Sequence, residues 1–166
     1  MDFRFTEDEE AFRKEVGQWL KQEIPQRWIE FAPGIWEETE ESWSLAREFQ
    51  RKLGEKGWLA PAYPKEYGGL ELSHMKRLIL AEELAYSRAP VSIEVEITVN
   101  WVGPSIMHFG TDKQKIDYIT RIAKGEIIFC LGYSEPNAGS DLASLQTRAV
   151  GVGDEYDINR QKIWCC

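Results

Sequence analysis

Leu131-Gly132-Tyr133-Ser134-Glu135-Pro136-Asn137-Ala138-Gly139-Ser140-Asp141 is a small, polar, turn-forming stretch that directly follows the hydrophobic run Ile127-Ile128-Phe129-Cys130. Branched and aromatic residues in so short a run predict a buried strand. The loop that leaves it is then held against a rigid base, a position that binding residues favour. The stretch also divides the chain. On its amino-terminal side the apolar residues recur at helical spacing, and on its carboxy-terminal side they alternate. The expected fold class is α+β, with an all-α helical domain over residues 1–126 followed by the first strands of an antiparallel sheet over residues 127–166.

The helical side is read from caps and stripes. Thr6 and Glu9 form a capping box, Phe12, Val16, Trp19 and Leu20 follow at helical spacing, and Pro25 ends the pattern. Glu7, Asp8 and Glu9 sit in the first turn, where they favour the positive end of the helix dipole. A second helix is predicted to start near Ser42 or Ser44, with Leu45, Phe49 and Leu53 on one face, and to stop around Gly54 to Gly57. Between them, Ile24 to Glu41 reads as an exposed acidic loop or short turn. The prolines and paired glycines of Gly57 to Gly69 forbid a continuous helix and predict an ordered loop capped by Trp58, Tyr63 and Tyr67. Ser73 opens a third helix with Leu78, Ala81, Leu84 and Ala85 on one face. Periodicity does not settle the type of Val91 to Met107; its length and setting favour a largely buried helix, kinked or interrupted at Pro104. Thr111 and Gln114 make another capping box, Ile116, Ile119 and Ile122 a stripe, and Gly125 a stop.

Beyond the loop, Leu145, Thr147 and Ala149 alternate with Gln146, Arg148 and Val150. A turn at Gly151 to Asp154 follows, then Glu155 to Ile158 and Lys162 to Cys165 as further strand candidates. Gly151-x-Gly153 lacks a third glycine and opens no helix, so it is no dinucleotide fingerprint.

Composition narrows the chemistry. With 166 residues, 43% of them hydrophobic, the chain can bury a core, and its net charge of −8 argues against a nucleic-acid footprint and an anionic membrane surface. The amino terminus lacks the order of a signal or transit peptide, and no apolar stretch approaches the roughly 18–20 residues of a membrane-spanning helix, so a cytoplasmic setting is the simplest expectation. Cys130, Cys165 and Cys166, without Cys-x-x-Cys spacing, and two histidines, His74 and His108, assemble no metal site. A bridge between the adjacent Cys165 and Cys166 would be strained, so these read as free thiols.

The stretch from Ser134 through Glu135-Pro136 to Ala138-Gly139-Ser140-Asp141 resembles the flavin-binding signature of the acyl-CoA dehydrogenases, and Gly57-Trp58 leading to Tyr67-Gly68-Gly69 resembles their amino-terminal domain. The resemblance extends over nearly the whole chain and closes on Lys162-Ile163-Trp164. It implies a helical amino-terminal domain and the truncated beginning of a β-barrel-like, flavin-binding middle domain. The implied cofactor is FAD. Leu131, Gly132, Tyr133 and Ser134 would run along the flavin ring, where their N–H groups and the Ser134 hydroxyl stabilise negative charge that develops when hydride is accepted. Gly139 would allow close approach of backbone to ligand, and Ser140 would meet the cofactor phosphates or the acyl-CoA chain. Trp164, with Cys165 and Cys166, would form a second wall.

The resemblance further implies α,β-dehydrogenation of an acyl-CoA thioester in fatty acid metabolism, with electrons passing to an electron-transferring flavoprotein, and a homo- or hetero-oligomer, dimer or tetramer. The catalytic glutamate of the family lies in a carboxy-terminal helical region, so no carboxylate here is assigned as the base, and the chain alone is expected to be inactive. Glu135, part of the signature, reads as structural. Two departures stand out. Relatives carry Asn-Gly where this chain has Asn159-Arg160, which predicts a side-chain-bearing residue at φ > 0 at a cost of roughly 1 kcal/mol. Cys166, a weak donor, stands where they place Thr or Ser. The alternatives are a non-catalytic piece or partner subunit of a heteromeric acyl-CoA dehydrogenase, and a flavin monooxygenase or nitroalkane oxidase of the same superfamily.

Overall fold

The computed structural model describes residues 4–31 and 39–165, in two compact units, Met1–Ile128 and Phe129–Cys166. The first unit is helical. Helix α1, Glu7–Glu23, starts at the expected capping box: the Thr6 hydroxyl accepts from the Glu9 N–H and the Glu9 carboxylate accepts from the Thr6 N–H. Its buried stripe is Phe12, Val16 and Leu20. Trp19 lies beside it, 5.5 Å from the Phe49 ring and 5.3 Å from Trp58, forming an aromatic cluster that Phe12 joins edge-on.

The segment expected as a loop after α1 carries a short helix α2, Gln26–Phe31, and the next helix, α3, Glu40–Glu55, begins earlier than Ser42. The reason is a capping box that uses Ser42 rather than Glu or Gln at its third position. Thr39 and Ser42 exchange hydrogen bonds of 2.9 and 3.1 Å, and Ser42 is fully buried in the process. Ala46, Phe49, Gln50 and Leu53 form the buried face. Of the remainder of that expected loop, residues 32–38 lie outside the described residues.

Helix α4, His74–Tyr86, has the expected Ser73 cap but not the expected face. Ile79 and Leu80 are buried, whereas Leu78, Ala81 and Ala85 are exposed. Apolar residues surround this helix on most sides, so periodicity does not choose a face. Ion pairs flank the buried face: Arg13 of α1 bridges Glu82 and Glu83 at 2.6 and 2.8 Å, and Lys76 reaches Asp8 at 2.7 Å.

Within Val91 to Met107 the chain is helical from Ile93 onward, and its interruption is a widening rather than a kink. Helix α5, Ile93–Ile97, passes into a π-helical turn, Thr98–Val102, and then into α6, Gly103–Phe109, with Pro104 in the first turn of α6. Val95, Ile97, Thr98 and Val99 are buried, but Ile93, Trp101 and Phe109 are exposed, so the segment is half-buried rather than largely so. Helix α7, Asp112–Ala123, has the Thr111–Gln114 capping box and buries Ile119 and Ile122, while Ile116 faces outward.

The second unit contains one antiparallel pair among the described residues, β1 (Arg148–Val152) and β2 (Glu155–Asn159), with Ala149 opposite Ile158 and Gly151 opposite Tyr156. Gly153, at φ 65°, turns the hairpin in two residues with Asp154. Every residue of both strands is exposed. Neither Ile127 to Cys130 nor Lys162 to Cys165 forms a strand here; Ile127, Ile128 and Phe129 are half-buried and Cys130 is exposed. A strand exists only where a second one meets its hydrogen-bonding edge, which local sequence does not report.

Candidate functional site

The loop from Leu131 to Asp141 is pinned at its centre by Glu135. This carboxylate is about 6% exposed and accepts the Thr147 hydroxyl, the main-chain N–H groups of Gln146 and Thr147, both at 2.8 Å, and Lys162 Nζ at 3.2 Å. The Thr147 hydroxyl, then the Gln146 and Thr147 N–H groups and Lys162, hold its pKa down at about 2 against the desolvation that opposes them. Glu135 and Ala138 close a tight turn by exchanging main-chain bonds of 2.8 and 3.1 Å. The structural reading of Glu135 thus has a mechanism: it clips the loop to the start of the hairpin and to the closing segment.

The same clip brings together the two stretches expected to flank a flavin. Ile163 N–H donates to Ser134 O at 2.9 Å, and Lys162 Nζ donates to Tyr133 O at 3.0 Å. A Cβ on Gly132 would stand 3.5 Å from Lys162 Cγ and 3.8 Å from Cys165 Sγ. Leu131, Gly132, Tyr133 and Ser134 therefore run beside Lys162 to Cys165. Gly139 and Ser140 lie beyond the Glu135–Ala138 turn and are exposed. Trp164 is 85% exposed and its backbone sits at φ 54°, the left-handed region that costs a side-chain-bearing residue free energy. Asn159 and Arg160 do not have positive φ, contrary to expectation, because the chain leaves β2 at Asn159 without turning into another paired strand. Cys130 and Cys165 are exposed free thiols, and the exposure of Cys130 departs from the buried strand expected there. Cys166 lies outside the described residues.

The donor set suits a ligand rich in acceptors. Among the described residues, no hydrogen bond is made by the N–H groups of Leu131 to Ser134 or by the Ser134 hydroxyl. These donors, beside the buried Glu135 carboxylate, are open to a ligand's acceptors. No group of three or more His, Cys, Asp or Glu side chains able to hold a metal occurs among the described residues.

Sequence reasoning did not find a second feature, in the helical unit. An apolar cavity of about 500 Å³ is walled by Leu80 and Leu84 of α4, Val95 and Val99 of the interrupted helix, and Leu59 and Trp58 of the aromatic loop. A smaller one, about 290 Å³, is lined by Tyr63, Pro64, Pro104 and Met107. Ala81, Leu84 and Ala85, three of the four residues of the apolar face expected on α4, line this hollow and are its signal in the sequence.

Comparison with known proteins decides the family. The model of the acyl-CoA dehydrogenase N-terminal domain matches residues 6–126. This chain belongs to the acyl-CoA dehydrogenase family. It is 49% identical over 121 residues to the acyl-CoA dehydrogenase FadE26 of Mycobacterium tuberculosis, a match that takes in 73% of this chain and 30% of that protein. The ChsE4–ChsE5 complex of Mycobacterium tuberculosis contains a chain that is 40% identical and superposes with a TM-score of 0.81 over 99% of this chain and 40% of that one. A glutaryl-CoA dehydrogenase of Mycobacterium smegmatis, solved in complex with FADH2, is 24% identical and shares the fold with a TM-score of 0.70 over 97% of this chain and 39% of its own. This acyl-CoA dehydrogenase chain therefore spans well under half the length of these relatives. Among the described residues, no helix is long and apolar enough to cross a membrane.

Proposed function

We propose that this chain supplies the helical amino-terminal domain and one wall of the flavin site of an FAD-dependent acyl-CoA dehydrogenase, which introduces an α,β double bond into an acyl-CoA thioester. The observation that carries the reading is the pinning of Leu131 to Ser134 against Lys162 to Cys165 by the Ile163–Ser134 and Lys162–Glu135 contacts. In this reading Leu131, Gly132, Tyr133 and Ser134 donate hydrogen bonds to the ring, and Gly139 and Ser140 meet the phosphates. Ser140 also touches the acyl-CoA, while Trp164, Cys165 and Cys166 exclude water from the other side. Bound FAD supplies hydride acceptance; the chain's own residues bind it, orient it and stabilise the charge that collects near their donors. The apolar cavity beneath α4 suits an acyl chain in size and lining. None of the carboxylates in the chain is assigned as the base, which we place in a carboxy-terminal helical region of the assembled enzyme. An electron-transferring flavoprotein as acceptor and a cytoplasmic setting belong to the same reading.

A second reading is a subunit that contributes a half-site to a heteromeric enzyme. It is favoured by the match of nearly the full chain to a member of a two-protein complex. One experiment serves both. The chain purified alone is expected to retain little FAD and to reduce no dye acceptor with acyl-CoA, whereas co-expression with the carboxy-terminal part of a relative yields a yellow complex. Within that complex, Ser134→Ala lowers the FAD content. A colourless joint preparation, or a lone chain with stoichiometric flavin and turnover, contradicts the proposal.

A further inference from the structure

The π-turn Thr98–Val102 has a hydrogen-bonding deficit with a specific cause. In the widened turn the Gly103 N–H donates to Thr98 O, five residues back, so the next carbonyl in register, Val99 O, would be served by residue 104. That residue is Pro104, which has no N–H. A buried carbonyl without a donor is costly. The Tyr63 hydroxyl, on the aromatic loop, donates to Val99 O at 2.6 Å, and Tyr63 is 3% exposed. Burial pushes the phenol well above its usual pKa, so it stays protonated and donates at any physiological pH. The fit leaves no slack: a Cβ on Gly103 would stand 1.7 Å from the Tyr63 oxygen. Tyr63 approaches the turn through the one residue that has no side chain.

The turn so held stands between the two cavities. Val99 and Asn100 line both the 500 Å³ cavity and the 290 Å³ one, as do Pro61 and Arg77. We propose that Tyr63 is a positioning residue for this partition: its hydroxyl replaces the amide hydrogen that Pro104 lacks and fixes where Val99 and Asn100 stand, setting the depth of the apolar cavity. The identity of the occupant as an acyl chain rests on the acyl-CoA dehydrogenase reading. The latch itself does not.

The test uses the whole chain, alone and in the co-expressed complex, as wild type, Tyr63→Phe, Pro104→Ala and the double variant. Tyr63→Phe keeps the ring and its packing but removes the donor. It is expected to raise amide exchange at Trp101, Val102, Gly103 and Ser105 about tenfold. In the Pro104→Ala background, where residue 104 has an N–H again, the same change is expected to have a much smaller effect. Xenon fills apolar cavities whatever their natural occupant, and its chemical shift in the protein is expected to differ between wild type and Tyr63→Phe. In the complex, a saturated acyl-CoA series from butyryl to palmitoyl is expected to show a different tightest-binding member for the variant. Unchanged exchange, or an effect of the same size in the Pro104→Ala background, overturns the latch. Raised exchange with unchanged xenon shift overturns its control of the cavity. If wild type binds no acyl-CoA while exchange and xenon respond as expected, the acyl reading fails and the positioning role stands.

Discussion

Glu135 concentrates the loop's organisation in one carboxylate. Its acceptors serve Thr147, Gln146 and Lys162, and it is these donors, not burial, that set its acidity. Since its pKa in the folded chain, about 2, lies below its ordinary 4.5, the contribution to stability is present above that ordinary value and is lost as pH falls from there through about 2. The Gln146 and Thr147 amides are therefore expected to lose protection across that acid window while the amides of α1 keep theirs, which hydrogen exchange at a series of pH values reads directly. Glu135→Gln keeps the shape but halves the acceptor capacity and turns one oxygen into a donor facing donors. It should abolish the pH dependence and raise exchange at both amides at neutral pH. The sequence identified the loop and the side of Glu135 on which it belongs, but not its partners: Thr147 and Lys162 are 12 and 27 residues away, a tertiary fact that no local pattern encodes. Trp164 was equally opaque, because a tryptophan in the left-handed region runs against every local preference.

Helix starts were readable where chemistry is local. Thr6 with Glu9 and Thr111 with Gln114 fix α1 and α7 at the residues expected, because a capping box is complete within four positions. Thr39 escaped notice because its partner is Ser42, outside the usual Glu or Gln. The face of α4 is not legible in sequence because Leu78, Ala81, Leu84 and Ala85 present as good a stripe as Ile79 with Leu80, and the choice rests on which of them packs in the core. Pro104 announced an interruption whose form, a π-turn, depends on Tyr63 some forty residues earlier in the chain. Two substitutions separate cap from core at this scale. Thr6→Ala should cost about 1 kcal/mol and Phe49→Ala, which empties a fully packed aromatic site, about 3–5 kcal/mol, both measured by urea denaturation of the helical unit. Equal losses for the two would contradict the packing described.

Across the whole molecule the two units are unequal. The helical unit buries Phe12, Phe49, Ile119 and Ile122, whereas the second unit's only regular pairing among the described residues is a two-stranded hairpin exposed on every residue. A lone hairpin is marginal in water. Limited trypsin digestion is expected to cut at Arg148 and Arg160 well before it cuts within α1, α3 or α7, and co-expression with a completing partner should suppress those cuts. Equal rates throughout would show the hairpin to be as well protected as the helices. The division between helical and β regions was legible because the period of the apolar residues changes there. What the β region pairs with was not.

One consequence of the aromatic cluster is optical. The indole rings of Trp19 and Trp58 stand 5.3 Å apart between centroids and cross at 78°. Two such chromophores, close and strongly inclined, share their ultraviolet transitions and impose a paired, opposite-signed circular dichroism that single indoles lack. That signal arises between α1 and the loop following α3, so it disappears when those two elements part and ignores events elsewhere. The chain carries, in its own absorbance, a gauge of whether its helical core is closed.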